Sequence, residues 1–146
     1  MPALTQPYEA FERPGLVVAY RLSNVKVFKG ALVGLNASGF AVPMAHGTAN
    51  LKFIGVANET VDNSAGATGD KSITVTKTGS FVLKPAAGYI PAIADLGKEI
   101  YALTDWEIQA AAAGLTNAYK IGTAVALETT STGTAGVRVR IDNYSL

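Results

Sequence analysis

Phe53-Ile54-Gly55-Val56-Ala57 and Lys120-Ile121-Gly122-Thr123-Ala124 stand 67 residues apart and share one pattern, an isoleucine and a glycine followed two residues later by alanine. The match extends outward without a gap. Gly30 falls on Gly97, Val33 on Ile100 and Ala41 on Ile108; on the other side Ser64 falls on Ser131, Gly66 on Gly133 and Gly69 on Gly136. Glycines that recur at one spacing mark places where the backbone needs a positive φ or a tight bend. What repeats is therefore turn geometry around apolar strands, with no reactive side chains in it. Two copies are too few for an open solenoid, which needs three or more units. The expected product is a small all-β protein, a barrel or a sandwich, built from two pseudo-repeats at 29–76 and 96–143.

The flanking sequence fits this reading. Leu16 to Tyr20 is β-branched and apolar, and Val25 to Phe28 follows after the Ser23-Asn24 turn. Ala31–Leu35 and Phe40–Val42 flank the turn-forming tetrad Asn36-Ala37-Ser38-Gly39, which predicts a hairpin. Its counterpart is Glu99–Leu103, the turn Thr104-Asp105-Trp106, and Glu107–Gln109. Asp105 to Ala113, closed by Gly114, also reads as an N-capped, alanine-rich helix. The matching segment of the first copy, with its glycine and proline, cannot be a helix, so a hairpin running into an alanine-rich loop is expected. Ser72–Thr76 and Val137–Ile141 both alternate, the latter placing Val137, Val139 and Ile141 inward and Arg138 and Arg140 outward. Their phase is flipped relative to the 67-residue offset, which implies one deleted residue in the second copy. With Gly79–Leu83, this makes nine or ten strands, and Ala86–Leu96 reads as the link between copies. Residues 1–14, with Pro2, Pro7 and Pro14 and no periodicity, read as an extended arm preceding one β-domain at 15–146. Tyr8 and Phe11 are large apolar groups on an arm with no core of its own, so they are expected to dock on this domain or on a neighbour.

Composition narrows the function. The 146 residues carry 12 basic and 11 acidic side chains, scattered singly, for a net charge of +1. No Lys/Arg stripe exists to neutralise a run of phosphates, which argues against nucleic acid as a partner. Charged residues make up only 16% against a usual ~25%. A surface this short of charge is either faced by protein or coated with neutral polar groups. Cysteine is absent, so disulfides and thiolate metal sites are excluded. No apolar run approaches the ~20 residues of a membrane helix, and the N-terminal residues lack the charged and apolar regions of a signal peptide.

Chemistry-bearing motifs are scarce. The single histidine, His46, has no acidic or cysteine neighbour and reads as an exposed loop residue. Gly66 to Ser72 lacks the Gly-Lys-Ser/Thr ending of a phosphate loop and opens a strand. Asp62 and Asp70 supply too few oxygens for calcium. Glu99, Asp105 and Glu107 have the composition of a glycosidase pair, but lie on one hairpin near Lys98 and Lys120, as a solvated face would. The expectation is a protein with no catalytic residues, no metal and no cofactor. Trp106, at a hairpin tip, either folds over a barrel mouth or anchors an interface. Tyr8, Phe11 and Trp106 are thus the protein-contact candidates.

Three stretches carry a family resemblance: Tyr20–Pro43, above all Lys29-Gly30-Ala31-Leu32-Val33-Gly34-Leu35-Asn36-Ala37-Ser38-Gly39-Phe40; Ile54–Gly66; and Asp95–Tyr101. Together they resemble the decoration, or cement, proteins of tailed-bacteriophage and prophage heads. The resemblance covers most of residues 20–143. It implies a β-rich virion protein, assembled in the host cytoplasm, that binds the outside of a capsid as a homo-oligomer, often a trimer. Its partner would be the major capsid protein, whose neighbouring capsomers it braces. The alternatives are a non-catalytic barrel that binds a ligand or glycan at one mouth, and another head or tail part.

Overall fold

The structure, a computed structural model, describes residues 6, 7 and 15–143. Tyr8, Phe11 and most of the proposed arm lie outside the described residues. Among the described residues the chain is all-β, with twelve strands and one 3-10 turn. The strands are β1 (Val17–Arg21), β2 (Lys26–Val27), β3 (Leu32–Leu35), β4 (Ala41–Pro43), β5 (Lys52–Ala57), β6 (Val61–Asp62) and β7 (Ser72–Thr76), followed by β8 (Thr78–Pro85), β9 (Glu99–Ala102), β10 (Glu107–Gln109), β11 (Lys120–Thr129) and β12 (Ala135–Asp142). The alanine-rich stretch after β10 is irregular and not helical, as the repeat argument required.

Pairing reproduces the repeat strand by strand. The first sheet runs β1-β7-β5-β3-β4, and the second runs β8-β12-β11-β9-β10 and closes on itself. Gly55 pairs with Val33 and Gly122 with Ile100, and a register shift follows at the same step in both ladders. Gly34 lies opposite Val42, and Tyr101 opposite Gln109. Even the bonds flanking the strands recur: Gly30 N–H donates to the Ala57 carbonyl (2.9 Å), and Gly97 N–H to that of Ala124 (2.8 Å). Gly30 and Gly97 share a φ near +90° (88° and 89°), which explains why both are glycine.

Three sequence expectations need correction. Each unit recruits one more strand than the sequence match showed, β1 in the first and β8 in the second. The chain consequently crosses between units at Lys77, and Ala86–Leu96 is an internal connection of the second unit. The length difference is also larger than one residue. Val56 lies opposite Thr76 and Thr123 opposite Arg140, so the last strands are offset by 64 and the second unit's closing loop is three residues shorter. A change of three flips strand phase as a change of one does, so alternation alone could not tell them apart. Past this loop Gly69 therefore does not correspond to Gly136. Finally, the short β2–β6 ladder, which has no counterpart in the second unit, raises the strand count to twelve.

The second unit is a closed five-stranded barrel, and the first is a five-stranded sheet curled into a barrel whose ends meet at a single bridge. The second is closed by the parallel pairs Lys84–Glu107 and Pro85–Ile108, with Ala86 N–H donating to the Ile108 carbonyl (2.8 Å). The first is closed at the equivalent place by one parallel bridge, Leu22–Ala41, with Ser23 N–H donating to the Ala41 carbonyl (3.0 Å). Inside the first lie Val33, Ala41, Ile54, Ile73 and Val75; inside the second, at matching positions, lie Ile100, Ile108, Ile121, Val137 and Val139. Each valine or isoleucine among them contributes about 1.5–3 kcal/mol by leaving water. Lys77 takes the position that Ile141 fills in the second barrel. It is buried, and its ammonium reaches the Tyr20 hydroxyl and sits 4.9 Å over that ring.

The barrels are joined through one outer face of the first. Leu32, Met44, Leu51 and Val56, with Phe53 and Val42 beside them, belong to the second barrel's core cluster. At the positions of Leu32, Val42, Phe53 and Val56 the second barrel carries Glu99, Gln109, Lys120 and Thr123. The face that is apolar and covered on one unit is polar on the other.

Candidate partner-binding cleft

A cleft of about 610 Å³ lies between the barrels. One wall begins at Phe28, just past β2, and runs to Ala31. The opposite wall is Val82, Leu83 and Lys84 of β8 with Trp106, and the 130–132 turn closes one side. Trp106 is 53% exposed and Phe28 58%. Exposed aromatic rings facing one cavity are unusual on a surface in contact with water, and they mark a place where another group is accommodated.

Local geometry holds both rings in place. Thr104 Oγ1 accepts the N–H groups of Glu107 (3.1 Å) and Trp106 (3.4 Å), and Leu103 N–H donates to the Glu107 carbonyl (2.9 Å). Leu32 N–H donates to the Asp105 carbonyl (2.6 Å), which ties this turn to the first barrel. Across the cleft, Lys29 N–H donates to Thr60 Oγ1 (2.8 Å) and Ala31 N–H to the Phe28 carbonyl (3.1 Å). Each ring carries a lysine. Lys84 Nζ lies 3.9 Å above the Trp106 ring and 4.0 Å from Glu107, and Lys26 Nζ lies 4.7 Å above Phe28. Such contacts are worth about 0.5–1 kcal/mol at exposed sites. Burial, and to a lesser degree the charge of Glu107, pushes the Asp105 carboxyl above the usual carboxylate range.

Trp106 thus stands at the cleft's edge. The lysines, Phe28 and Val82 went unnoticed in the sequence because they lie 22 or more residues from it, in segments joined only by the fold. A second apolar feature was also missed. Ile90 and Ile93 are 86% and 78% exposed on the connection between β8 and β9. This projection is strapped by Asp95, which accepts Ala92 N–H (2.9 Å), the Tyr89 hydroxyl (3.1 Å) and Lys98 Nζ (3.1 Å). The Ala92 bond, then the Lys98 bond, hold its carboxyl below the usual range, while burial and Asp95 push Tyr89 up to about 12. An apolar run, Ile90-Pro91-Ala92-Ile93, without strand or helix periodicity was the available signal.

The other residues weighed for chemistry have structural partners. His46 is not an exposed loop residue. It is partly buried between the barrels, where its Nδ1 accepts Thr116 N–H (3.1 Å), its N–H donates to the Leu103 carbonyl (3.1 Å) and its carbonyl accepts Asn117 Nδ2 (2.8 Å). Glu99 accepts from the Tyr101 hydroxyl (2.8 Å) and Lys120 (3.1 Å). Asp62 accepts Ser64 N–H and Asp70 accepts Ala67 N–H, both at 2.9 Å, which shapes the loop between them. Among the described residues no three His, Cys, Asp or Glu side chains converge as a metal site, and no helix is long and apolar enough to cross a membrane. Comparison with protein-family models, curated proteins and solved structures finds no match for the chain.

Proposed function

We propose that this chain is a structural virion protein that binds the outside of a tailed-phage capsid, contacts the major capsid protein and braces neighbouring capsomers, acting as a homo-oligomer, with a trimer favoured. The observation that carries this reading is a pair of barrels presenting apolar side chains outward on hydrogen-bonded supports: Ile90 and Ile93 on the Asp95-strapped projection, and Phe28 and Trp106 at the cleft. Apolar groups on ordered backbone lose little entropy when covered, which suits a clamp between proteins. The family resemblance carried by most of residues 20–143 suggests the capsid as the partner, and the low charge content agrees with a surface meant to face protein.

The test is addition of the purified protein to shells assembled from the cognate major capsid protein. Saturable binding at a fixed ratio, a higher shell melting temperature and a trimeric mass by light scattering are expected. A monomer that ignores the shells yet binds glycans would replace this reading with that of a binding module.

A further inference from the structure

We propose that in the free protein the cleft between the barrels is filled by the chain's own residues 8–14, Tyr8-Glu9-Ala10-Phe11-Glu12-Arg13-Pro14. This inference does not depend on the capsid reading. Three observations lead to it. The first is chemistry. The cleft offers two exposed rings above an apolar floor, with Lys29 and Lys84 on its walls and Lys26 over Phe28. The segment carries two aromatic rings and two carboxylates, Glu9 and Glu12, spaced three apart, and in the cleft its Arg13 would give Asp105 a counter-charge. Rings placed on the floor and carboxylates on the lysine side would satisfy both partners, each charge pair remaining near water where it costs little to form.

The second observation is reach. Val17 lies opposite Thr76, Thr76 opposite Val56, and Val56 opposite Leu32, so these four residues form one row across the first sheet. Three strand spacings place Val17 within about 14 Å of Leu32, whose neighbour Ala31 lines the cleft. Seven extended residues span roughly 24 Å, enough to enter the cleft from Gly15. The third is tethering. A segment joined to its site through a short link experiences an effective concentration of about 1 mM, so even weak recognition fills the cleft in the same molecule before a second copy competes.

Trp106 is the only tryptophan, so its fluorescence reads this cleft directly. Acrylamide quenching would be compared between the wild-type chain and the full-length Tyr8→Ser/Phe11→Ser double variant. The variant should be quenched at least about twofold more readily, because a millimolar tether leaves a millimolar-affinity site half filled or better. A synthetic peptide of residues 8–14, added at millimolar concentration, should restore protection to the variant. Lys29→Glu, at an exposed position, should independently raise quenching in a chain with unchanged circular dichroism and melting. Equal quenching in the wild type and both variants would overturn the proposal. So would protection that vanishes on dilution together with a dimeric mass, since the occupant would then be the segment of a second copy.

Discussion

Gly122 is the most demanding position in the second barrel. A Cβ built there would lie 2.1 Å from the Arg140 carbonyl oxygen and 3.0 Å from Val139 Cγ1. The obstacle is backbone, so no rotamer change relieves it, and β11 and β12 must move apart where Thr123 pairs with Arg140. Forced overpacking of this kind costs about 1–3 kcal/mol. For a chain of this size, Gly122→Ala at about 2 kcal/mol should lower Tm by roughly 4–8 °C. Gly55 meets the equivalent carbonyl, that of Thr76, at 2.2 Å and also has φ of +144°. Gly55→Ala adds about 1–3 kcal/mol of backbone strain to the same clash and should be the worse of the two. Gly47→Ala is the control: nothing lies within 4 Å of its added Cβ, so it should be neutral or stabilise by up to about 1 kcal/mol. Urea unfolding of the three variants measures all of this. If Gly122→Ala proved as harmless as Gly47→Ala, the argument that close strand approach dictates both repeated glycines would fail.

Asn63 donates to the carbonyls of Ser23 (3.0 Å) and Ala67 (2.9 Å) while almost wholly buried; Asn63→Ala should cost about 1–3 kcal/mol, and Asn63→Asp more, because a carboxylate would face those carbonyls, as denaturant midpoints will show. His46→Ala removes the acceptor for Thr116 N–H and should cost about 1–2 kcal/mol, with faster hydrogen exchange at Thr116. Asp95 has a lowered pKa, so its strap stabilises the fold at and above the ordinary value of 3.8 and is lost as pH falls through the lower, folded value; hydrogen exchange across 89–98 should accelerate only in strong acid in the wild type but already at neutral pH in Asp95→Asn. Tyr89 titrates upward to about 12, so its hydrogen bond persists until strong alkali, which ultraviolet titration against Tyr89→Phe will resolve. Trp106→Ala should leave melting within about 1 kcal/mol of wild type, since it loses mainly a surface cation–π contact, while weakening self-association or shell binding; unchanged assembly and shell binding would remove its anchor role.

The repeat was legible because its signal sits in glycines required either by a positive φ, as at Gly30 and Gly97, or by the close approach of a neighbouring strand, as at Gly55 and Gly122. The hairpin at 99–109 was legible only by comparison with its partner, since its own composition favours a helix. What the sequence hid was pairing that lacks a local marker. β1 and β8 share no conspicuous residues, because in each the inward positions are filled by different side chains, Tyr20 in one and Leu83 in the other. The cleft was half legible: Trp106 stood out as the sole indole at a predicted tip, whereas Phe28 and Lys84 acquire meaning only once two barrels bring residues 28, 84 and 106 together. His46 was misread for a related reason. Its partners, Leu103, Thr116 and Asn117, are 57 to 71 residues away, and no spacing rule connects them.

The unlike faces of the two barrels bear on how long such a chain could become. An apolar outer face of the first unit meets the second, and the second carries polar side chains at the equivalent positions. A stack of this kind has no internal reason to stop at two, because a heterologous contact that does not close by rotation propagates. Here it ends in Glu99, Gln109, Lys120 and Thr123, with Glu99 and Lys120 already paired to each other at 3.1 Å. Those four side chains give the second unit a polar face that needs no cover, much as the polar outer face of a capping repeat does. Returning them to Leu, Val, Phe and Val, the residues of the first unit, would give the second unit an apolar face in need of a cover and should drive self-association.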